Sequence, residues 1–313
     1  MSIAIAPAQT AFFIGAAKDT TAAKQLETQP VKPEFIHWQD VPLQVAFLSE
    51  IPTDQTRLQR MQWLLEQFIK QHPVFDGSTP VFLILPELSE LDSTLANFIQ
   101  QVTSATPLLL IAPFSRVFPY GSAGALMALN SAVRYLEQNP GQNVWLVAVD
   151  SSCSAERLEA HVANEQTEQV LSEGVIALRL KAEHSGYRVQ CYETDACLKK
   201  ESASVSVVPY LFGAIASQLS HVLTHVYLPD CGDSGVTEQW LSHYHLLRPV
   251  VTLETQLTFP SYSSGELGAC GGLFRLWHAL HSQTDNEHGV CKALLEISQQ
   301  SYCAMLALYK AAQ

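Results

Sequence analysis

One stretch of this chain is too apolar to lie on a surface. Ala125–Leu136 (ALMALNSAVRYL) carries apolar residues around most of a helical circumference and is opened by four small residues, Gly121-Ser122-Ala123-Gly124. A helix that is hydrophobic nearly all round offers no face to water and belongs in a core. A second stretch, Ser264–Leu280 (SGELGACGGLFRLWHAL), has the same layout, with small residues at its start and bulky ones toward its end. The chain therefore reads as built around an internal duplication of buried helices.

The remaining residues can supply that core. With 313 residues, 47% hydrophobic and 15% charged, the length suits one large α/β unit or two fused smaller ones. A net charge of -12, from 18 Lys+Arg against 30 Asp+Glu, argues against nucleic acid or an anionic membrane as the main partner. The first residues, MSIAIAPAQTAFFIGAAKD, lack a basic start and a long apolar stretch. No window offers the roughly 20 apolar residues of a membrane span, so the expectation is a cytoplasmic protein. The seven cysteines (153, 191, 197, 231, 270, 291 and 303) are odd in number and several sit in apolar runs, which suits free buried thiols better than a disulfide framework.

Short β-rich runs alternate with helical patterns, as in an α/β sheet covered on both faces. The pattern predicts strands at Phe12–Ala16, Gln44–Leu48, Val81–Leu85, Leu108–Ala112, Val144–Val149, Val175–Leu180, Val226–Leu228 and Val250–Thr255. It predicts helices at Asp54–Gln71, Leu91–Thr103, Ala123–Gln138, Ala155–Glu165, Tyr210–Leu223, Gly235–Leu247 and Glu266–Ser282. After each buried helix comes a pair of strand-like runs: Glu173–Leu180 with Tyr187–Tyr192, turning at Ser185-Gly186, and Lys292–Ile297 with Tyr302–Tyr309, turning at Gln299-Gln300. Both halves are expected to end in a hairpin.

These segments, GSAGALMAL, VWLVAVDS (Val144–Ser151), EGVIALRL (Glu173–Leu180) and GELGACGGLFRLWHAL (Gly265–Leu280), resemble those of β-ketoacyl synthases in the thiolase superfamily. The resemblance is best between about Gly121 and Ala311. It implies a thiolase-like α/β fold: two similar βα halves, residues 1–195 and 196–313 in one compact unit, with central helices sandwiched between two mixed sheets. Condensing enzymes of this family use a Cys at the start of the first buried helix, where N–H groups and the helix dipole favour a thiolate, and two His residues that polarise the incoming carbonyl. Carried over residue by residue, the Cys position falls on Gly121, the first His position near Asp230 in Tyr227–Asp233, and the second on Gly265. All three lack the family's chemistry.

Cys153, in Val149-Asp150-Ser151-Ser152-Cys153-Ser154, sits where a strand turns into a helix and is the alternative nucleophile. The same residues read equally as a packing thiol behind Ser N-caps. Cys231 and Cys270 flank the inferred site and read as buried thiols. His221 and His225, four apart, with His243 and His245 nearby, could suit a metal, but Val226–Leu228 reads as a strand and breaks their common face. Asp230, Asp233 and Glu238 suit an acid/base cluster or, equally, carboxylates leading into a helix N-terminus. The glycines of GACGG lack the lysine and spacing of a phosphate cradle, so neither metal nor cofactor is expected. The resemblance implies a catalytically inactive protein, with the family's homodimer, that binds a protein partner as an accessory or adaptor. Short ketosynthase-like proteins resemble accessory factors of bacterial secretion cargo, type VI effectors in particular. The alternatives are an acyl-thioester-processing enzyme with a displaced Cys, or a non-catalytic module that binds an acyl or pantetheine group; an acyl carrier protein or acyl thioester is a further partner that the resemblance implies.

Overall fold

Apolar residues fall on both sides of most strands, so the sheet needs cover on both faces. The computed structural model describes residues 3–26, 29–49, 55–87, 92–163, 169–196, 206–230, 232–282, 289–298 and 301–312. The first part of the chain forms β1 (Ala4–Ile14), α1 (Thr20–Gln25), β2 (Glu34–Trp38), β3 (Val41–Ala46), α2 (Arg57–Gln71), β4 (Val81–Ile84), α3 (Asp92–Ala105), β5 (Arg116–Phe118), α4 (Ala123–Gln138), β6 (Asn143–Ser151), α5 (Ala155–Ala163) and β7 (Leu171–Ala182). The second part forms β8 (Tyr187–Ala196), α6 (Val208–Gln218), β9 (His225–Tyr227), α7 (Ser234–Leu241), a 3-10 turn (Tyr244–Leu247), β10 (Gln256–Thr258), α8 (Ser261–Ser264), α9 (Ala269–His281), β11 (Val290–Ile297) and β12 (Tyr302–Lys310).

The strands run in the order β10-β9-β11-β12-β8-β1-β7-β6-β4-β5, with the β2–β3 ribbon attached to β7. Outward from the central junction, β1-β7-β6-β4-β5 and β8-β12-β11-β9-β10 repeat the same directions. β7 is antiparallel to both its neighbours, β12 likewise, and the outer three strands of each set are parallel. The duplication of the helices thus extends to the sheet. β8, which a division at 195/196 assigns to the first half, takes the place of β1 in the second.

The first predicted hairpin is not formed. β7 and β8 lie on opposite sides of β1, and Ile5 is paired with both Ala182 and Tyr187. The turn at Ser185-Gly186 steps across the end of β1, where the Gly186 N–H donates to Glu183 O (3.0 Å). The second hairpin is present, as β11 with β12.

Side chains alternate between two cores. Val144, Leu146 and Ala148 of β6 face inward, while Trp145, Val147 and Val149 face the outer helices α2 and α3. In β12, Ala304, Leu306 and Leu308 face inward, and Cys303, Met305 and Ala307 pack with α6. The inner core encloses α4 and α9 between the two half-sheets, as the resemblance implied. Leu126, Leu129, Leu273 and Leu276 are fully buried there, each contributing about 1.5–3 kcal/mol relative to exposure. The small-residue starts let the two helices approach: a Cβ on Gly272 would overlap the Ser122 carbonyl oxygen and lie 3.1 Å from Ala125 Cβ.

Helix α4 spans the predicted residues, and α2 starts at Arg57 behind a capping box of Thr56 and Gln59; residues 54, 91 and 165, where other predicted helices begin or end, lie outside the described residues. Two predicted strands are corrected. Leu108–Ala112 and Val250–Thr255 form turns, and the edge strands are the short β5 and β10 that follow them. Pro107 and Pro113 bracket the first run and Pro249 precedes the second, removing ladder donors. Leu108, Ile111 and Leu253 are exposed, so these apolar residues are not core. No helix among the described residues is long and apolar enough to cross a membrane.

Candidate functional site

The C-terminal ends of β4, β6, β9 and β11 and the N-termini of α4 and α9 converge on a cavity of about 390 Å³. The two helix starts are built alike. Gly121 (φ +59°) and Gly268 (φ +56°) each turn the chain with a left-handed backbone, and their carbonyls accept from the N–H groups of Gly124 (3.1 Å) and Gly271 (3.0 Å). Only glycine takes that conformation without strain.

At the α4 start the place of a side chain is occupied. A Cβ on Gly121 would lie 2.7 Å from Ser298 Cβ and 3.6 Å from Glu87 Cγ. The Gly121 N–H donates to Leu85 O (3.0 Å), so it is already engaged. Ser298 follows β11 and is fixed by its own N–H to Tyr302 O (2.8 Å) and by the Tyr302 N–H to Ser298 Oγ (3.2 Å). Glu87 accepts from the N–H groups of Ser301 (3.0 Å) and Tyr302 (3.1 Å), and Ser122 Oγ donates to Ile297 O (3.2 Å). The end of the β11–β12 hairpin is therefore laid against the opening of α4.

At the α9 start a carboxylate fills the corresponding space. A Cβ on Gly268 would collide with Asp150 Oδ2. Asp150 accepts from the Ala269 N–H (2.7 Å), from its neighbour Ser151 (2.7 Å) and from Arg57 Nη2 (2.7 Å) and Nε (3.0 Å). A negative charge at a helix N-terminus is favoured by the unpaired N–H groups and the dipole. Behind it, Arg275 of α9 is buried against Glu296 of β11, with Nε 2.7 Å from Oε1 and Nη groups on Glu296 and Ser261 Oγ. Burial pushes the Glu296 carboxyl up, and the Arg275 guanidinium opposes that.

Of the three positions carried over from the resemblance, Gly121 lines the cavity. Asp230 and Gly265 stand just outside it, beside the lining residues Pro229, Glu266 and Gly268. Asp230 is buried and accepts from Thr237 Oγ1 (2.5 Å), Tyr262 Oη (3.0 Å) and the Gly232 N–H (3.0 Å), which anchors the start of α7. Gly265 (φ +76°) has no room for a side chain against the Val170 carbonyl oxygen. Asp233 is the N-cap of α7, accepting from Gly235 (2.8 Å) and Val236 (3.4 Å), so the capping reading of that carboxylate holds.

Cys153 is fully buried behind Ser151, whose Oγ accepts the Cys153 N–H (2.9 Å). Burial pushes its thiol up to about 12, and Glu173 acts in the same direction, so the residue carries almost no thiolate at neutral pH. Cys270 is buried with Sγ on Gly174 O (3.2 Å), and burial raises it too. Cys231 lies outside the described residues. His221 stacks on Tyr309 at 4.1 Å while His225 opens β9, so the pair shares no face. Among the described residues no three His, Cys, Asp or Glu side chains gather as a metal site.

No protein-family model and no curated protein matches this sequence. Solved structures do. The ketosynthase from module 6 of the bacillaene synthase of Bacillus subtilis 168 matches with TM-score 0.71 and 10% identity over 99% of this chain and 72% of that one. The chain has the ketosynthase fold. A PfaC keto synthase–chain length factor structure matches all of this chain with TM-score 0.68 and 11% identity, the chain spanning 43% of that one's length. A type II PKS acyl-carrier protein in complex with its ketosynthase matches with TM-score 0.60 and 10% identity, covering both chains in full. Within this ketosynthase fold, sequence reading missed Arg57, Asp150, Arg157, His161, Glu266 and Arg275, all of which line the cavity. Arg57 meets Asp150 and Arg275 meets Glu296 only through long-range pairing, and no local pattern marks these residues.

Proposed function

We propose that this chain is a catalytically inactive ketosynthase-fold protein that acts in the cytoplasm by binding a protein partner. The observation that carries this reading is the filled position at Gly121, where Ser298 takes the space of a side chain, Glu87 packs beside it and Leu85 takes the backbone N–H. The buried Cys153 gives no support to a displaced nucleophile. A homodimer is the assembly that the resemblance implies. The open edge of β5, flanked by exposed Leu108, Ile111 and Phe114, is a surface suited to it. The names of two matching structures pair a keto synthase with a chain length factor and a ketosynthase with an acyl-carrier protein, and these protein pairings support a protein as the working partner. The adaptor role beside type VI secretion cargo is the concrete form of the proposal and rests on the resemblance alone.

Two measurements test it together. Affinity capture from the native cell, read by mass spectrometry, is expected to return a stoichiometric protein partner. Decarboxylation of a malonyl thioester by the pure protein is expected to stay at the level of a blank. Turnover above that level would refute the inactive reading.

A further inference from the structure

Arg157, on α5, lines the cavity half-buried, and among the described residues no hydrogen bond or ion pair reaches its guanidinium. The carboxylates that line the cavity with it are already engaged, and Glu156 beside it on α5 is exposed to solvent. Asp150 holds Arg57 and two backbone N–H groups, Glu87 holds Ser301 and Tyr302, Asp233 caps α7, and Glu266 accepts the Gly268 N–H (2.8 Å). Arg275 has Glu296. Burial and the neighbouring Arg57 hold the Arg157 guanidinium below its ordinary value, against the attraction of Asp150 and Glu266. A half-buried cation without a partner is costly, and a planar guanidinium is shaped to take a carboxylate bidentately.

We infer that the cavity binds a small monocarboxylic acid whose carboxylate pairs with Arg157. A single negative charge is what the site accepts. A monoanion neutralises Arg157 one for one, whereas a dianion such as phosphate would set its second charge against Asp150 and Glu266. Pro86, Leu171, Pro229, Val236 and Ile297 give this otherwise polar cavity an apolar part that can take a short hydrocarbon body. Binding of this kind requires no turnover and no partner protein. Failed partner capture therefore leaves it standing, and failed acid binding leaves the partner reading standing.

The test is calorimetric titration and thermal unfolding of the pure 313-residue chain with hexanoate, beside hexanol, inorganic phosphate and a tripeptide with a free C-terminus. Hexanoate is expected to bind saturably and raise the unfolding temperature, with hexanol and phosphate weaker. Arg157→Gln is expected to weaken hexanoate at least ~10-fold, the loss of one charge-assisted hydrogen-bond pair, and Arg157→Lys by less. Ligand-free R157Q is expected to unfold at or above the wild-type temperature, because an unpaired cation has been removed. No hexanoate binding, equal binding to R157Q, tighter binding of phosphate or of the tripeptide, or a ligand-free R157Q that unfolds well below wild type would each overturn the assignment.

Discussion

Gly121→Cys places a thiol where a condensing enzyme would carry one, and the geometry says what it costs. At φ +59° a residue with a Cβ is disfavoured by about 1–2 kcal/mol. The new Cβ would stand 2.7 Å from Ser298 Cβ, an overlap that close-packed surroundings resist at about 1–3 kcal/mol. The variant should therefore lose about 2–5 kcal/mol in denaturant unfolding, seen as a lower midpoint at unchanged slope. Gly121→Ala should lose a similar amount, since both terms arise at Cβ. Ser298→Gly removes the opposing atom, so the G121C/S298G pair should show a favourable coupling of about 1–3 kcal/mol in a double-mutant cycle, with the backbone term remaining. Neither cysteine variant should decarboxylate a malonyl thioester, because the Gly121 N–H stays on Leu85 O. A G121C protein within about 0.5 kcal/mol of wild type, the range of an inconsequential substitution, would refute the claim that the site is filled.

Three further outcomes follow from described contacts. Glu296→Gln leaves Arg275 buried without its counter-charge and should cost about 3–5 kcal/mol by the same unfolding assay. Lys292 is fully buried under the end of α9, donating to Ala279 O (2.7 Å) and Ser282 Oγ (2.7 Å), and burial, reinforced by Lys310, pushes its amine down from 10.5 to about 8. Between those values the unfolded chain binds more protons than the folded one, so stability should rise from pH about 8 to 10.5, by up to ~3 kcal/mol, and Lys292→Met should flatten that rise. Iodoacetamide at pH 7 should leave Cys153 unlabelled in the folded protein and modify it once denaturant is added, as read by peptide mass mapping.

How far the sequence reaches depends on the range of the physics involved. Helix α4 and strand β6 were legible because most of their residues are buried and their periodicity is local: every second residue of β6 faces one of two cores. The turns at 108–112 and 250–255 were misread because a short apolar run looks alike whether a partner strand covers it or not. The first hairpin failed for a related reason, since nothing near residues 182–187 announces that Ile5 will insert between them. Gly121 could be singled out as a position, but its meaning needed Ser298 and Glu87, which meet it only in three dimensions. The ionic wall of the cavity was invisible. Arg57 and Asp150 are ordinary surface-type residues in sequence, and only their meeting makes one the counter-ion of the other.

The position of β1 between β7 and β8 has a consequence for the order of folding. The first half-sheet is complete only when residues near 5 have found residues near 182, so β1 cannot take its place until β7 has been made. The pairing is long-range and its loop-closure entropy comes due before the inner core forms, which favours slow, late and cooperative assembly. Until then the apolar residues that α4 and β1 share in the inner core stay uncovered, and that interval is when the chain is most exposed to aggregation.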